Sequence, residues 1–263
     1  MAKKRNFIVE FLLRVRQLFA GLFFDPWEML MKWRALPAYC RNMYAYSKAR
    51  TTSTPPIEFS RLFFTTYEKF MPGGTAVGHY FLQDVWAAKL IHQAGIKFHI
   101  DIGSRVDGFV AHLLPFCQVE YVDIRPLESP FAQLKFKQGS ILNLPYPDNS
   151  IESLSCLHVI EHIGLGRYGD PIDPEGHIKA ATELCRVLKP GGKLYVGTPV
   201  GEESVYFDAH RVFFVETILN MFNTLYLNQF DFIADSGNKI IENPAYSVAN
   251  KNKYGCGLFV FLK

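Results

Sequence analysis

The chain has 263 residues, 49% of them hydrophobic, 15% aromatic and 20% charged. At about 150 residues per domain that allows one large domain with an appendage, and it excludes a disordered, collagenous or coiled-coil chain. Net charge is +3 and unevenly spread, with ten Lys/Arg against three acids (Glu10, Asp25, Glu28) in residues 1–50 and a mildly acidic remainder. No Arg-rich tract with interleaved aromatics appears, so nucleic acid is not an expected partner. The five cysteines, Cys40, Cys117, Cys156, Cys185 and Cys256, are scattered and form no CxxC pair. This argues against a disulfide framework or a zinc knuckle and points to a reducing compartment.

In chain order, Ile8, Phe11, Leu12, Val15, Phe19 and Leu22 fall on one helical face with Glu10, Arg14 and Gln17 opposite, and Lys3, Lys4 and Arg5 precede them. The pattern predicts a basic amphipathic helix. Its charges exclude a membrane span, and no small-residue cleavage site marks a signal peptide. Such a face packs on the body of the protein or on a second subunit, or lies on an anionic membrane surface. The expected location is therefore cytoplasmic, with peripheral contact at the inner face of a membrane as the second possibility; oligomeric state is left open. Asp25-Pro26 breaks this helix, a second helical stretch runs to Leu36-Pro37, and residues 51–56 read as a linker. The expected organisation is a helical extension with linker over 1–56 and one domain over 57–263.

Within the domain the sequence predicts helices at 81–94, 109–114, 177–188 and 215–225, interleaved with strands at 98–102, 119–124, 151–157, 193–197, 230–234 and 257–262. Strands alternating with helices make a parallel sheet covered on both faces, an α/β fold. In such sheets ligands sit at the carboxyl ends of the central strands. The first turn there is His99-Ile-Asp-Ile-Gly-Ser-Arg-Val-Asp-Gly108. It lacks the three glycines that let a pyrophosphate lie on bare backbone, which argues against a dinucleotide. Asp123 ends the next strand, where a carboxylate can accept from both hydroxyls of a ribose.

Five segments, His99-Ile-Asp-Ile-Gly103, Tyr121-Val-Asp123, residues 139–150, His158-Val-Ile-Glu-His-Ile163 and Arg186-Val-Leu-Lys-Pro-Gly-Gly-Lys193, occur in an order that resembles the class I S-adenosylmethionine-dependent methyltransferases over roughly residues 80–262. Residues 103–109, Asp123-Ile-Arg-Pro126, residues 165–170 and Ala209-His-Arg-Val212 are most similar to an uncharacterised domain-of-unknown-function family within that group. The resemblance implies a Rossmann-like, mostly parallel seven-stranded sheet with an antiparallel last strand, and S-adenosylmethionine as cofactor. It further implies Asp101 and Gly103, with Ser104, at the methionine end, Asp123 on ribose, and Ser140 and Ile141 beside adenine. Three positions depart from the usual pattern: Arg105 and Asp107 replace glycines, and Ser140 replaces an acid. Arg105 can pair with the cofactor carboxylate, stand as a structural residue, or block the pocket.

The implied activity is methyl transfer to a hydroxyl of a small molecule or glycan, for which the protein supplies alignment and a general base. His162 and His210 are the first choices for that base, followed by His158 and Glu161. Against this, Glu161 and His162 also suit bracing of a helix start, and His158 a hydrogen-bonded core position. The polar, Gly/Pro-rich stretch 164–177 is expected to contact the acceptor. Its Asp170, Asp173, Glu175 and His177 lack a metal-binding spacing, and no metal is expected. The alternative to an enzyme is a catalytically silent binding module recruited through its N-terminal helices.

Overall fold

A computed structural model describes residues 26–58, 62 and 73–263, so the amphipathic helix expected within residues 1–22 lies outside the described residues. The chain divides into two compact units, 1–75 and 76–263. In the first, α1 (Pro26–Ala49) runs unbroken through Pro37, which corrects the expectation that the helix ends there. A proline removes one backbone hydrogen bond and crowds the preceding turn. The good helix formers Met31, Lys32, Leu36, Ala38 and Met43 on either side carry the helix past it. Residues 51–58 contain no helix or strand. Among the described residues no helix is long and apolar enough to cross a membrane.

The second unit is an eight-stranded sheet in the order β3-β2-β1-β4-β5-β10-β8-β9, with β1 (Phe98–Ile102), β2 (Gln118–Asp123), β3 (Leu134–Gln138), β4 (Ile151–Leu157), β5 (Leu188–Val200), β8 (Tyr226–Ile233), β9 (Ile240–Glu242) and β10 (Gly255–Leu262). The pairs β1–β2, β2–β3, β1–β4 and β4–β5 are parallel, whereas β10 is antiparallel to both β5 and β8. This is the expected Rossmann-like methyltransferase architecture with an antiparallel last strand. One short strand, β9, extends its edge. A small hairpin, β6 (Ser204–Tyr206) with β7 (His210–Val212), follows β5.

Alternation along the strands sorts the apolar side chains into two cores. Ile100, Ile102, Phe259 and Phe261 face α4 (Gly176–Val187) and α5 (Val215–Met221); Leu258 and Val260 face α2 (His79–Gln93) and the helical stretch formed by a π-turn (Val106–Val110) and α3 (Ala111–Leu113). A last short helix, α6 (Tyr246–Ala249), precedes β10. In α4 the buried residues Ala180, Ala181, Leu184, Cys185 and Val187 form one stripe, the spacing a helix on a sheet requires. The buried stripe of α2 contains Trp86, Ala87, Ala88 and Ile91 but also Gln83 and Asp84. Trp86 Nε1 donates to Asp231 Oδ2 at 2.8 Å and so fastens α2 to β8.

Candidate active site

The site is built where β1, β2 and β4 end. Gly103 closes β1 with φ 68°, and a Cβ there would press on Val159 at 3.2 Å. Glycine therefore suits both the left-handed turn and the close approach. Beneath the turn a polar spine is fully buried. His99 reaches Ser153 Oγ (2.7 Å) and Ser155 Oγ (2.8 Å); Ser155 donates to Asp101; Asp101 accepts from Ser104 N (3.0 Å) and Ser104 Oγ (2.7 Å). Leu157 N donates to Ser104 Oγ at 3.1 Å and ties the turn to β4. Burial pushes the Asp101 carboxyl up to about 6 and the His99 imidazole down to about 3. Asp101 thus braces the turn from below and is not part of the cavity wall.

Asp123 ends β2 with its carboxylate already engaged. Oδ1 accepts from Arg125 N (2.8 Å) and Nε (3.0 Å); Oδ2 accepts from Arg125 Nη2 (2.8 Å) and the Tyr121 hydroxyl (2.9 Å). Burial pushes this carboxyl up, but the Arg125 and Tyr121 hydrogen bonds outweigh it and hold it below the usual carboxylate range. The Arg125 guanidinium lies 4.5 Å from the centre of the Tyr168 ring. Tyr168 sits in the loop after β4. There Asp170 Oδ2 accepts from Gly164 N (2.6 Å) and Gly166 N (3.4 Å), and Oδ1 from Tyr168 N (3.4 Å). Arg105 pairs with Asp107 at 3.0 Å and lies 5.1 Å over the Tyr80 ring.

Past β4 stand the candidate bases. His158 has φ 54°, a strained setting for a side-chain-bearing residue, and its Nδ1 lies 2.6 Å from Gln83 Oε1. His162 Nδ1 lies 2.6 Å from the Ala209 carbonyl, an oxygen that can only accept, so the ring proton is on Nδ1 and Nε2 is bare. Glu161 is fully buried; its Oε1 is 3.7 Å from His162 Nε2, and its Oε2 accepts from Thr198 Oγ1 at 3.4 Å. Burial pushes Glu161 up to about 8, His158 down to about 3 and His162 down to about 4. His210 is packed between Tyr206 (4.8 Å) and Tyr254 (4.7 Å), and burial, then the Arg167 charge, lower its pKa. Among the described residues, His158 Nε2, Glu161 Oε1 and His210 Nε2 are buried without a hydrogen-bond partner.

These elements enclose a cavity of about 370 Å³. Its wall brings together Gly103, Ser104, Arg105, Asp123, Ser140, Ile141, His158 and His162. His210 and Glu161 stand behind that wall, because the β6–β7 hairpin packs the His210 ring between tyrosines and the turn Ile160–His162 directs Glu161 inward. Neither side chain lines this cavity. The wall also includes Tyr80, Tyr121, Arg125, Arg167, Tyr168 and Asp170. Arg125 had a signal, its place two residues after Asp123 in the quoted motif; Tyr80, on a distant helix, had none. In the 164–177 loop, Asp170 caps backbone amides and Asp173 pairs with Lys179 at 2.6 Å. No three potential metal-ligating groups gather among the described residues.

Residues 146–240 match a family described as "Caenorhabditis protein of unknown function, DUF268". That span contains the candidate bases and the loop after β4 but not the Gly103 turn. "Probable methyltransferase ltbC" of Aspergillus luteorubrus is 39% identical over 70 residues, 26% of this chain and 21% of that protein; the aligned part is about a fifth of the relative's length. Among solved structures, the [4+2]-cyclase SpnF superposes with a TM-score of 0.50 at 16% identity, over 68% of this chain and 81% of that one. The N-methyltransferase NodS from Bradyrhizobium japonicum WM9, in complex with S-adenosyl-L-homocysteine, gives 0.48 at 14% identity, over 68% and 85%. The chain has the class I methyltransferase fold, and its residues 146–240 carry the sequence pattern of the DUF268 family.

Proposed function

We propose that the chain is an S-adenosylmethionine-dependent methyltransferase acting on a hydroxyl of a small molecule or glycan. The observation that carries this reading is the cavity itself. One opening at the strand ends joins a glycine turn, a strand-end carboxylate and two uncharged imidazoles on its wall. The residues present fit the cofactor: the Gly103 turn brings backbone close to its methionine part, Asp123 would accept from ribose hydroxyls in exchange for its Arg125 hydrogen bonds, and Ser140 and Ile141 flank a place for adenine. When bound, S-adenosylmethionine supplies a methyl made electrophilic by its sulfonium. Arg105 has a guanidinium fork suited to the cofactor carboxylate, at the cost of its pairing with Asp107. His158 and His162, kept neutral by burial, can accept a proton from a hydroxyl. The fold alone does not carry the chemistry, since a [4+2]-cyclase shares it.

The test is calorimetric titration with S-adenosylhomocysteine. Binding is expected, and Asp123→Ala should weaken it by about 1.5–3 kcal/mol, the scale of hydrogen bonds to a charged group. Absence of heat at millimolar ligand would remove the enzyme and favour the silent binding module. That second reading has its own support in the Arg125 guanidinium, which occupies the ribose-binding carboxylate. An acceptor nitrogen in place of a hydroxyl would make the proton acceptor dispensable, so the bases bear on the hydroxyl reading in particular.

A further inference from the structure

Gln83 is 1% exposed, belongs to α2 and is not on the cavity wall, yet three elements are shaped around it. Its Oε1 faces His158 Nδ1 at 2.6 Å and its Nε2 faces Asp84 Oδ1 at 3.2 Å. Burial pushes the Asp84 carboxyl up while the Gln83 hydrogen bond holds it down; as a carboxylate it only accepts, which puts the amide nitrogen on Asp84 and the amide oxygen on His158. The thiol of Cys256, 3.8 Å away, faces the same oxygen. On β5, a Cβ at Gly197 would overlap Gln83 Oε1, so glycine there leaves the side chain its room. The Gly197 carbonyl accepts from His158 N at 2.7 Å. This fixes the backbone of His158 in its left-handed conformation, at φ 54°.

An amide oxygen has no proton to give, so the 2.6 Å contact requires the imidazole proton to be on Nδ1. Nε2 is then a bare lone pair, and it is the atom of His158 that is buried without a partner among the described residues. A strained backbone, a glycine that clears space and a buried amide all converge on one ring orientation. Buried polar groups of this kind are kept where function uses them.

We propose that Gln83 is a positioning residue for the transfer step: it holds the proton of His158 on Nδ1, so that Nε2 presents a bare lone pair to take the proton of the acceptor hydroxyl. The role rests on the methyl-transfer reading above, whereas the tautomer does not. In the step, the acceptor oxygen forms its bond to the methyl carbon, the carbon–sulfur bond breaks with its electron pair kept by sulfur, and the O–H proton passes to Nε2. The positive charge lost from the sulfonium reappears as imidazolium, whose Nδ1–H still donates to Gln83 Oε1. Burial keeps the free imidazole neutral, with its pKa pushed down to about 3, so the lone pair is present throughout the neutral range; the same burial opposes the imidazolium, and the loss of the neighbouring sulfonium charge in the step must offset it.

The experiment is a long-range proton–nitrogen correlation spectrum of the full chain labelled with ¹⁵N-histidine at pH 7, with His158 assigned by comparison with His158→Asn. His158 should be neutral with its proton on Nδ1, and should remain so with saturating S-adenosylhomocysteine. Gln83→Met, of similar length but without an amide, should release the ring to a mixture containing the Nε2–H tautomer. Gln83→Glu, whose oxygen still accepts, should restore Nδ1–H. Affinity for S-adenosylhomocysteine should change less than about threefold in either variant, since Gln83 does not line the cavity. A proton on Nε2 or a charged ring in the unmodified protein would overturn the proposal even if Gln83→Met failed to fold. A folded Gln83→Met with an unchanged tautomer, or a ring that flips when the ligand binds, would overturn it too. Loss of ligand binding in the unmodified protein with the tautomer intact would instead overturn the methyltransferase reading and with it the catalytic role.

Discussion

Glu161 is a carboxyl in a setting that penalises charge: it is fully buried, its nearest neighbours are a Thr198 hydroxyl and a neutral His162, and burial pushes it up to about 8. Because the folded state holds this proton more tightly than the unfolded chain, the stability Glu161 contributes is complete below its ordinary value near 4.5 and is lost as pH rises to about 8. His99 and His158 act in the opposite sense. Burial lowers both to about 3, so the unfolded chain takes their protons first and stability falls as pH drops from about 6.5. Asp101, raised to about 6, has its slope finished by then. His162, His177 and His210 are lowered as well, so up to about pH 7.5 the histidines still oppose the Glu161 slope, and the difference between the unmodified protein and Glu161→Gln isolates it. Thermal scans between about pH 6.5 and 8 should show the melting temperature of the unmodified protein dropping steadily relative to that of Glu161→Gln; parallel curves would contradict the buried neutral carboxyl. The spine below the Gly103 turn gives a second expectation. Asp101→Ala strands Ser155 Oγ, Ser104 N and Ser104 Oγ at about 1–3 kcal/mol for each donor left unpaired, minus whatever water recovers. Denaturant unfolding of Asp101→Ala and Asp123→Ala should thus separate a mainly structural acid from a mainly ligand-facing one.

The loop after β4 shows how one side chain organises an element. The Asp170 carboxylate accepts from the amides of Gly164, Gly166 and Tyr168, and the loop so closed carries Arg167 and Tyr168 to the cavity. Asp170→Ala should raise the amide exchange rates of residues 164–168 at least tenfold with little change in the core strands, read by hydrogen-exchange mass spectrometry. Uniform exchange across the whole chain would mean that the loop is not a separate unit. At this scale much was legible in sequence. The central strands are short segments rich in buried apolar residues bounded by turn signals, and the turns after β1 and β2 place Gly103 and Asp123 in one opening because neighbouring parallel strands end together. What escaped had weaker signals. In β3, Leu134-Lys-Phe-Lys-Gln138 has only one fully buried side chain, and β9 and the β6–β7 hairpin are three residues per strand. Pro37 reads as a stop in sequence, while the helix formers around it outweigh its local penalty. Tyr80 and Gln83 reach the His158 region from α2, about 75 positions earlier in the chain. Which face of α2 turns inward is decided by packing on β10 and β8, which spacing alone does not encode. Distinguishing His158 from His210 likewise needed the hairpin that packs the latter between tyrosines.

At the scale of the whole molecule, every strand of the sheet and every residue lining the cavity belongs to the unit 76–263, while the basic charge is concentrated in residues 1–50. The two apolar cores of the sheet are formed by side chains within 86–261, so the second unit contains the burial that a domain of this size needs. A chain of residues 76–263 should therefore fold by itself, unfold cooperatively and bind S-adenosylhomocysteine within about threefold of the full chain. Insolubility or weakened binding of the shorter chain would show that residues 1–75 complete the fold or the site. The same pair of proteins tests what the basic segment is for. Electrostatic attachment to an anionic membrane adds roughly 1 kcal/mol per Lys or Arg held near the surface and fades as salt shortens the Debye length. The full chain should thus float with phosphatidylserine-containing vesicles at low salt and be released at about 0.5 M salt, at which the Debye length is well below 8 Å, while 76–263 should remain in the pellet fraction under both conditions. Equal flotation of the full chain with purely neutral vesicles would assign the contact to the apolar residues between 8 and 22 and not to the charge of the segment. Failure to float with either vesicle would leave those apolar residues to the body of the protein or to a second copy of the chain, which sedimentation at two protein concentrations would then separate.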